Sequence, residues 1–355
     1  MLDRNDNLKK KVQAFLEKEV ELGIIPGAAL HISQNGKTIM DTYVGSRTFS
    51  PSPEPVQQDT IYDLASLTKI VATLTAMLQL LDEGFIHLKD RISRFFPSFE
   101  NNGKGDITIK QLLTHTSGLP AHRPYYAENL NREQVIERIC NEDLQVKPDS
   151  EVIYSDLGFI LLAALIEKVV EQPFQQYVDE QIFTPLEMND TGFNLAFDKQ
   201  RFAATEFSES LKDYKYGIVH DENAESMGGI SGHAGLFSTL GDLAKYASMV
   251  ENNGFYNGKQ IISSQSLKLS RENFTTFDNE GRGLGWQLQS KGVSACGDLF
   301  SAMSYGHTGF TGTSIWFDPE VQLSVILLTN RVHIPHQLGI LRLRPRLHNL
   351  IRSHF

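Results

Sequence analysis

The sequence predicts an α+β fold: an antiparallel sheet flanked by helices, as an α/β sandwich, with an all-helical domain inserted in its middle. Two observations carry this. Strand-like alternation is confined to the two ends of the chain, in residues 27–44 and 305–330, while helical periodicity and wholly apolar runs fill the region between. The chain is also 355 residues long and 41% hydrophobic, more than a single simple core accommodates. The expected boundaries are residues 1–64 with 285–355 for the sheet domain and 65–284 for the mostly helical insert.

Leu8, Val12, Phe15, Leu16 and Val20 share one helical face, and Gly23 with Pro26 ends that helix. Residues 27–33 and 37–44 read as strands joined at Asn35-Gly36, a hairpin signal because both residues tolerate positive φ. Ile70, Val71, Leu74, Met77, Leu78 and Leu81 mark a buried helix ending near Gly84. Thr108-Ile109-Lys110-Gln111 is a capping box opening a short helix that Gly118 and Pro120 close. Residues 157–170 are apolar on every face and form a central helix, with Asp156 as its natural N-cap. Strand character returns only near Trp286. Residues 305–318 and 321–330 then read as two long paired strands joined at Asp318-Pro319, followed by an Arg/Leu-rich helix.

The balance of 33 basic against 43 acidic side chains, a formal charge of −10, argues against nucleic acid or an anionic membrane as the main partner. The longest apolar run is about half of what a bilayer crossing needs, so no membrane span is expected. Cys140 and Cys296 are far apart and in no CxxC spacing, which excludes a disulfide scaffold and a thiolate zinc site. The opening residues MLDRNDNLKKK contain no apolar signal region, and taken as a native start they point to a cytoplasmic protein.

Three segments could do chemistry. Ser66 and Lys69 lie three apart in Ser66-Leu67-Thr68-Lys69, the only S-x-x-K in the chain, so on a helix the amine reaches the hydroxyl. A serine needs an adjacent base to become a nucleophile. Tyr154-Ser155-Asp156 sits at the entrance of the apolar helix, where a phenol surrounded by cations can accept a serine proton. Tyr177-Val178-Asp179 repeats that pattern but falls inside a helix. The third segment runs from Gly306 to Gly312, where glycines on a strand let a ligand approach the backbone and its N–H groups can stabilise an oxyanion. Each segment also has a plainer reading: chance spacing, a helix cap and a tight bend.

Taken in order, Ser66-x-x-Lys69, Tyr154-x-Asp156 and His307-Thr308-Gly309 resemble the Ser-x-x-Lys, Tyr-x-Asn and Lys-Thr-Gly motifs of penicillin-recognising serine enzymes. The chain is most similar to the class C β-lactamase branch, which holds β-lactamases, D,D-peptidases, D-amino-acid amidases and esterases. Residues 64–69, 109–120 and 306–319 carry the likeness, which extends from Gly27 to Asn330. The resemblance implies a β-lactamase/transpeptidase-like fold and a serine hydrolase needing neither metal nor cofactor. Ser66 would be the acylated nucleophile and Lys69 with Tyr154 the base and proton shuttle. Asp156, His307, Thr308, Gly309 and Phe310 would bind substrate, and the N–H groups of Ser66 and Phe310 would form the oxyanion hole. The partner implied is a small ester, amide or peptide, such as a D-amino-acid amide or a muropeptide fragment.

Two departures from the motifs change the charge of the site. Asp156 replaces a neutral amide and favours the Lys69 ammonium, which leaves Tyr154 as the proton acceptor. His307 replaces a lysine and weakens the grip on a substrate carboxylate, so little or no β-lactamase activity is expected. The alternative function is a non-catalytic penicillin-binding-like protein that holds a cell-wall fragment or peptide. Residues 219–238 resemble a loop that borders the cleft in bacterial relatives. There Asp221 and Glu222 lie near His220 and His233 without zinc-motif spacing, so a glycine-rich brace is expected rather than a metal site. Tyr125, Tyr126, Phe207, Tyr214 and Tyr216 are either cleft-lining or packing aromatics.

Overall fold

The computed structural model describes residues 2–290, 294–335 and 338–355. Helix α1 (Leu2–Glu21) buries Leu8, Val12 and Leu16 completely, as their spacing requires. Strands β1 (Gly27–Gln34) and β2 (Lys37–Thr48) follow as an antiparallel hairpin, with Asn35 and Gly36 both at positive φ. β3 (Glu54–Pro55) completes that end of the sheet. From the other end of the chain come β4 (Gln287–Leu288), β5 (Tyr305–Thr308), β6 (Ser314–Asp318) and β7 (Leu323–Leu328). The order across the seven strands is β4-β5-β6-β7-β1-β2-β3, so β1 pairs antiparallel with β7 and both ends of the chain meet mid-sheet.

Side chains alternate across this sheet with period two. Ala28, Leu30, Ile32, Trp316, Val325 and Leu327 pack under α1 and the last helix, Gly339–Arg352. Ala29, Ile315, Phe317, Ile326 and Leu328 face the other way and join one continuous apolar cluster with the central helices. Those helices include α2 (Thr75–Asp82), preceded by a π-helical stretch Lys69–Leu74, then α3 (Ile109–Leu113) and α4 (Asp156–Val170). Residues 157–166 of α4 are all buried, as their uniform apolarity predicts. The capping box forms reciprocally: Gln111 N–H donates to Thr108 Oγ1 and Thr108 N–H to Gln111 Oε1. Helices α5 (Glu222–Ser226), α6 (Leu240–Glu251) and α7 (Gly339–Arg352) complete the set used below.

Three expectations are corrected. Strand structure does not wait for Trp286: Tyr62–Asp63, Leu236–Ser238 and Gly192–Phe193 form a small sheet, and two short hairpins lie at 207–214 and 255–260. Strands of two or three residues are too short to show a period. Residues 305–318 are not one strand but β5 and β6, folded against each other by a turn in which Gly309 N–H donates to the Thr313 carbonyl and Gly312 takes φ +118°. Asp156 is not the N-cap of α4. Ser155 holds that position, and Asp156 is the first helical residue, with its carboxylate turned to Lys69.

Candidate active site

The segment before the first motif is bent. Ala65 takes φ +47°, uncommon for a residue with a Cβ, and its N–H donates to Asp63 Oδ1 at 2.8 Å. Thr68 Oγ1 donates to the Ala65 carbonyl at 2.7 Å and accepts from Leu236 N–H. The bend leaves Ser66 partly exposed while Lys69, one turn on, is wholly buried.

Lys69 Nζ donates to three acceptors: Ser66 Oγ at 3.0 Å, Asp156 Oδ1 at 2.7 Å and the His233 carbonyl at 3.1 Å. Burial pushes this amine down, but the charges of Asp156 and Tyr154 outweigh it, so its pKa lies above the ordinary lysine value. Lys69 is therefore an ammonium at neutral pH. Its three N–H bonds are the number an ammonium can donate.

Tyr154 lies against the same amine, its ring centroid 4.9 Å from Lys69 Nζ. Three further groups face that ring: His115 at 4.5 Å, His307 at 5.8 Å and the Arg282 guanidinium carbon at 5.2 Å. Burial, then the charges of Lys69 and Arg282, hold His307 well below the usual histidine range; burial, Arg282 and Lys69 do the same for His115. Both rings are neutral. His307 Nδ1–H donates to the Thr308 carbonyl at 2.8 Å, and His115 Nδ1 accepts from Ser155 N–H at 3.0 Å, which fixes the two tautomers.

The third motif is tied to the first. Thr311 Oγ1 donates to the Asp63 carbonyl at 2.7 Å and Thr313 Oγ1 to the Leu64 carbonyl at 3.1 Å. From α7, Arg344 Nη2 donates to the carbonyls of Gly309 at 3.0 Å and Thr313 at 2.8 Å. A Cβ on Gly309 would lie 2.1 Å from Thr313 Oγ1 and 2.6 Å from the Leu64 carbonyl, so only glycine fits against the serine turn. Gly309→Ala is expected to lower kcat/KM for an ester substrate on the order of 10²-fold by shifting that turn. A stopped-flow assay showing a change under twofold would refute the tight contact. Thr308 is partly exposed and the Phe310 side chain is exposed beside this turn.

The glycine-rich loop braces the site. Gly232 packs so closely on α4 that a Cβ would meet the Phe159 carbonyl at 2.2 Å. The His233 ring is held between Ser231 Oγ at 2.8 Å and Asp221 Oδ1 at 2.9 Å, and the His233 carbonyl accepts a hydrogen bond from Lys69 Nζ. Ligand atoms of Asp156, Asp221 and His233 lie within 4.8 Å of one another, and Lys69 supplies a cation directly to Asp156 in that group. Of the aromatic residues left open by the sequence, Tyr125 is buried with its hydroxyl on Glu142, and Tyr216 bonds the Ser50 carbonyl. Tyr125 is thus a packing residue, while Tyr216 is half-buried. Phe207 is exposed and stacks edge-on with Tyr214.

Ser66, Lys69, Asp156, Tyr154 and His307 form one chain of contacts, and Gly309, between Thr308 and Phe310, packs against the residues just before Ser66. Sequence reasoning missed Arg282 and the roles of His115 and the His233 carbonyl. Arg282 stands between two glycines just before Leu284-Gly285-Trp286, which is its one visible mark.

A family model described as Beta-lactamase matches residues 12–346. The chain belongs to the Beta-lactamase family. Members compared with it include an Escherichia coli K12 protein provisionally named D-alanyl-D-alanine carboxypeptidase. It is 33% identical over 92% of this chain and 82% of the relative. A Bacillus subtilis protein named N-acetylmuramyl-L-alanine amidase is 31% identical over 92% of this chain and 81% of its own length. Among solved structures, EstCE1, titled a hydrolase with promiscuous acyltransferase activity, superposes with a TM-score of 0.79 at 21% identity, covering 98% of this chain and 99% of its own. A penicillin-binding protein homologue from Caulobacter crescentus gives 0.76 at 20% identity, covering 98% of each. The fold is thus that of the β-lactamase/transpeptidase-like serine hydrolases. Among the described residues, no helix is long and apolar enough to cross a membrane.

Proposed function

We propose that this Beta-lactamase-family chain hydrolyses an amide or ester through an acyl-enzyme on Ser66. The Lys69 ammonium, 3.0 Å from Ser66 Oγ and 2.7 Å from Asp156, is the observation that carries the reading. An amine already protonated cannot take the serine proton, so Tyr154 takes it while Lys69 steadies the oxygen that loses it. Ser66 Oγ then bonds to the substrate carbonyl carbon. The carbonyl oxygen gathers negative charge against the N–H groups of Ser66 and Phe310. Collapse breaks the bond to the leaving amine or alcohol, which carries away the proton held on Tyr154. Water repeats the sequence on the acyl-enzyme and frees Ser66.

The substrate class follows from charge and from the relatives' names. A neutral His307 offers no ion pair to a carboxylate at the third motif, which disfavours efficient β-lactam hydrolysis. The names carboxypeptidase and amidase among relatives above 30% identity favour a cell-wall-derived peptide or amide over a simple ester. Rapid quenching of the enzyme with a p-nitrophenyl ester, followed by peptide mass spectrometry, tests the intermediate. The acyl mass is expected on the peptide containing Ser66. Turnover with no acyl adduct, or with the adduct elsewhere, would overturn the reading.

A further inference from the structure

Four charged or titratable side chains from four separate segments face the Tyr154 ring, and a fifth, Asp156, is two residues away on its own segment. Two of the four are cations, and each is ion-paired. Lys69 is matched at 2.7 Å by Asp156 inside the protein. His115 and His307 are neutral. Arg282 is 5% exposed and paired with Glu280, whose side chain is 38% exposed. Lys69 and Arg282, each ion-paired with one carboxylate, are thus the two cations at the phenol ring.

The main chain at Arg282 is held in place, and the guanidinium itself is paired with Glu280. Arg282 N–H donates to Thr275 Oγ1 at 2.8 Å, and its carbonyl accepts from Phe274 N–H at 2.9 Å. Asp278 of the same loop accepts Val152 N–H at 2.9 Å, two residues ahead of Tyr154. The loop that carries the cation is therefore stitched to the segment that carries the phenol.

We propose that Arg282 is a positioning residue for proton transfer: its guanidinium, laid 5.2 Å from the Tyr154 ring, supplies the fixed positive charge beside which Tyr154 takes the proton of Ser66. This rests on Tyr154 being the proton acceptor. A phenol oxygen that accepts a proton must carry negative charge beforehand, and a nearby buried cation stabilises that state. The third motif, where the family places a lysine, has neutral His307 here. Arg282 restores a cation to the same ring from a different loop. In the step it serves, the Ser66 O–H bond breaks and its proton passes to the Tyr154 phenolate, the Ser66 Oγ–C bond to the substrate carbonyl forms, and the carbonyl π pair moves onto the oxygen facing the N–H groups of Ser66 and Phe310. Arg282 acts on Tyr154 and touches no substrate atom.

A mutant cycle on acylation by neutral p-nitrophenyl butyrate tests this, with Ser66→Ala as the blank. Arg282→Gln is expected to acylate roughly 10- to 100-fold more slowly, with KM nearly unchanged. Arg282→Lys should regain most of that loss, since it keeps the charge. The double variant Arg282→Gln/Tyr154→Phe should be no slower than Tyr154→Phe alone, because both changes remove one function. Additive losses would overturn the proposal while leaving Tyr154 in its role. So would an Arg282→Lys variant that melts like wild type yet is as slow as Arg282→Gln, or a loss confined to substrates bearing a carboxylate. Tyr154→Phe acylating at the wild-type rate would overturn the assignment of Tyr154, and this proposal with it.

Discussion

Ser66→Ala is expected to reduce turnover of a short-chain p-nitrophenyl ester on the order of 10⁴-fold or more, to the rate of uncatalysed surface chemistry. The hydroxyl is the atom that bonds to the carbonyl, so nothing else in the site can replace it. Stability should barely change. Ser66 is partly exposed, and its removal costs Lys69 one of three acceptors while Asp156 and the His233 carbonyl remain. Such a loss is about 1 kcal/mol. Steady-state kinetics and a melting curve on the same sample check both parts. Wild-type turnover in a folded Ser66→Ala protein would remove Ser66 from the mechanism.

Asp156→Asn has the second largest expected effect, and it falls on stability. The side chain of Lys69 has no exposure and that of Asp156 is 20% exposed, so the pair is largely shielded. Replacing the carboxylate by an amide keeps the shape and an acceptor oxygen but leaves the ammonium without its counter-charge, at about 3 kcal/mol. The pH dependence gives the sign. In the wild type the Lys69 pKa is raised above 10.5, so its contribution is complete below that value and is lost only as pH climbs through the folded value. In the variant burial acts without the opposing Asp156 charge and the folded pKa falls. Between the folded value and 10.5 the unfolded chain then binds the extra proton, so stability rises with pH. Urea unfolding at pH 6 and pH 9 should therefore show the gap between variant and wild type narrowing at the higher pH. A gap independent of pH would mean that Lys69 does not carry the charge assigned to it.

What the sequence discloses depends on how local the determinant is. The Asn35-Gly36 turn and the Thr108/Gln111 capping box are legible because residues within four positions decide them. Ser66 and Lys69 are legible for the same reason, since helical spacing alone brings them to 3.0 Å. Asp156 shows the limit. As a cap before an apolar helix it has a sufficient local explanation; the resemblance of the motifs sets it beside Lys69, and the packing of α4 against the Lys69 segment shows the ion pair that turns it away from the cap. Arg282 and His115 lie far from Tyr154 along the chain and reach it only once the fold closes. The His233 contribution is a main-chain carbonyl, which every residue possesses and no sequence pattern advertises.

The strand pairing at the sheet centre sets a timetable for the enzyme's birth. Thr329 Oγ1 donates to the Gly27 carbonyl across 302 residues, and β1, paired early with β2, cannot find its second neighbour until β7 has been synthesised. The serine turn waits as well, because Thr311, Thr313 and Arg344 clamp it from the last quarter of the chain. A ribosome-bound chain can fold its helices early, since their contacts are near in sequence, whereas the long-range pairing is the slow event. Acylating power therefore arrives only once Arg344 and its helix have formed, and a nascent chain carries its nucleophile unarmed until then.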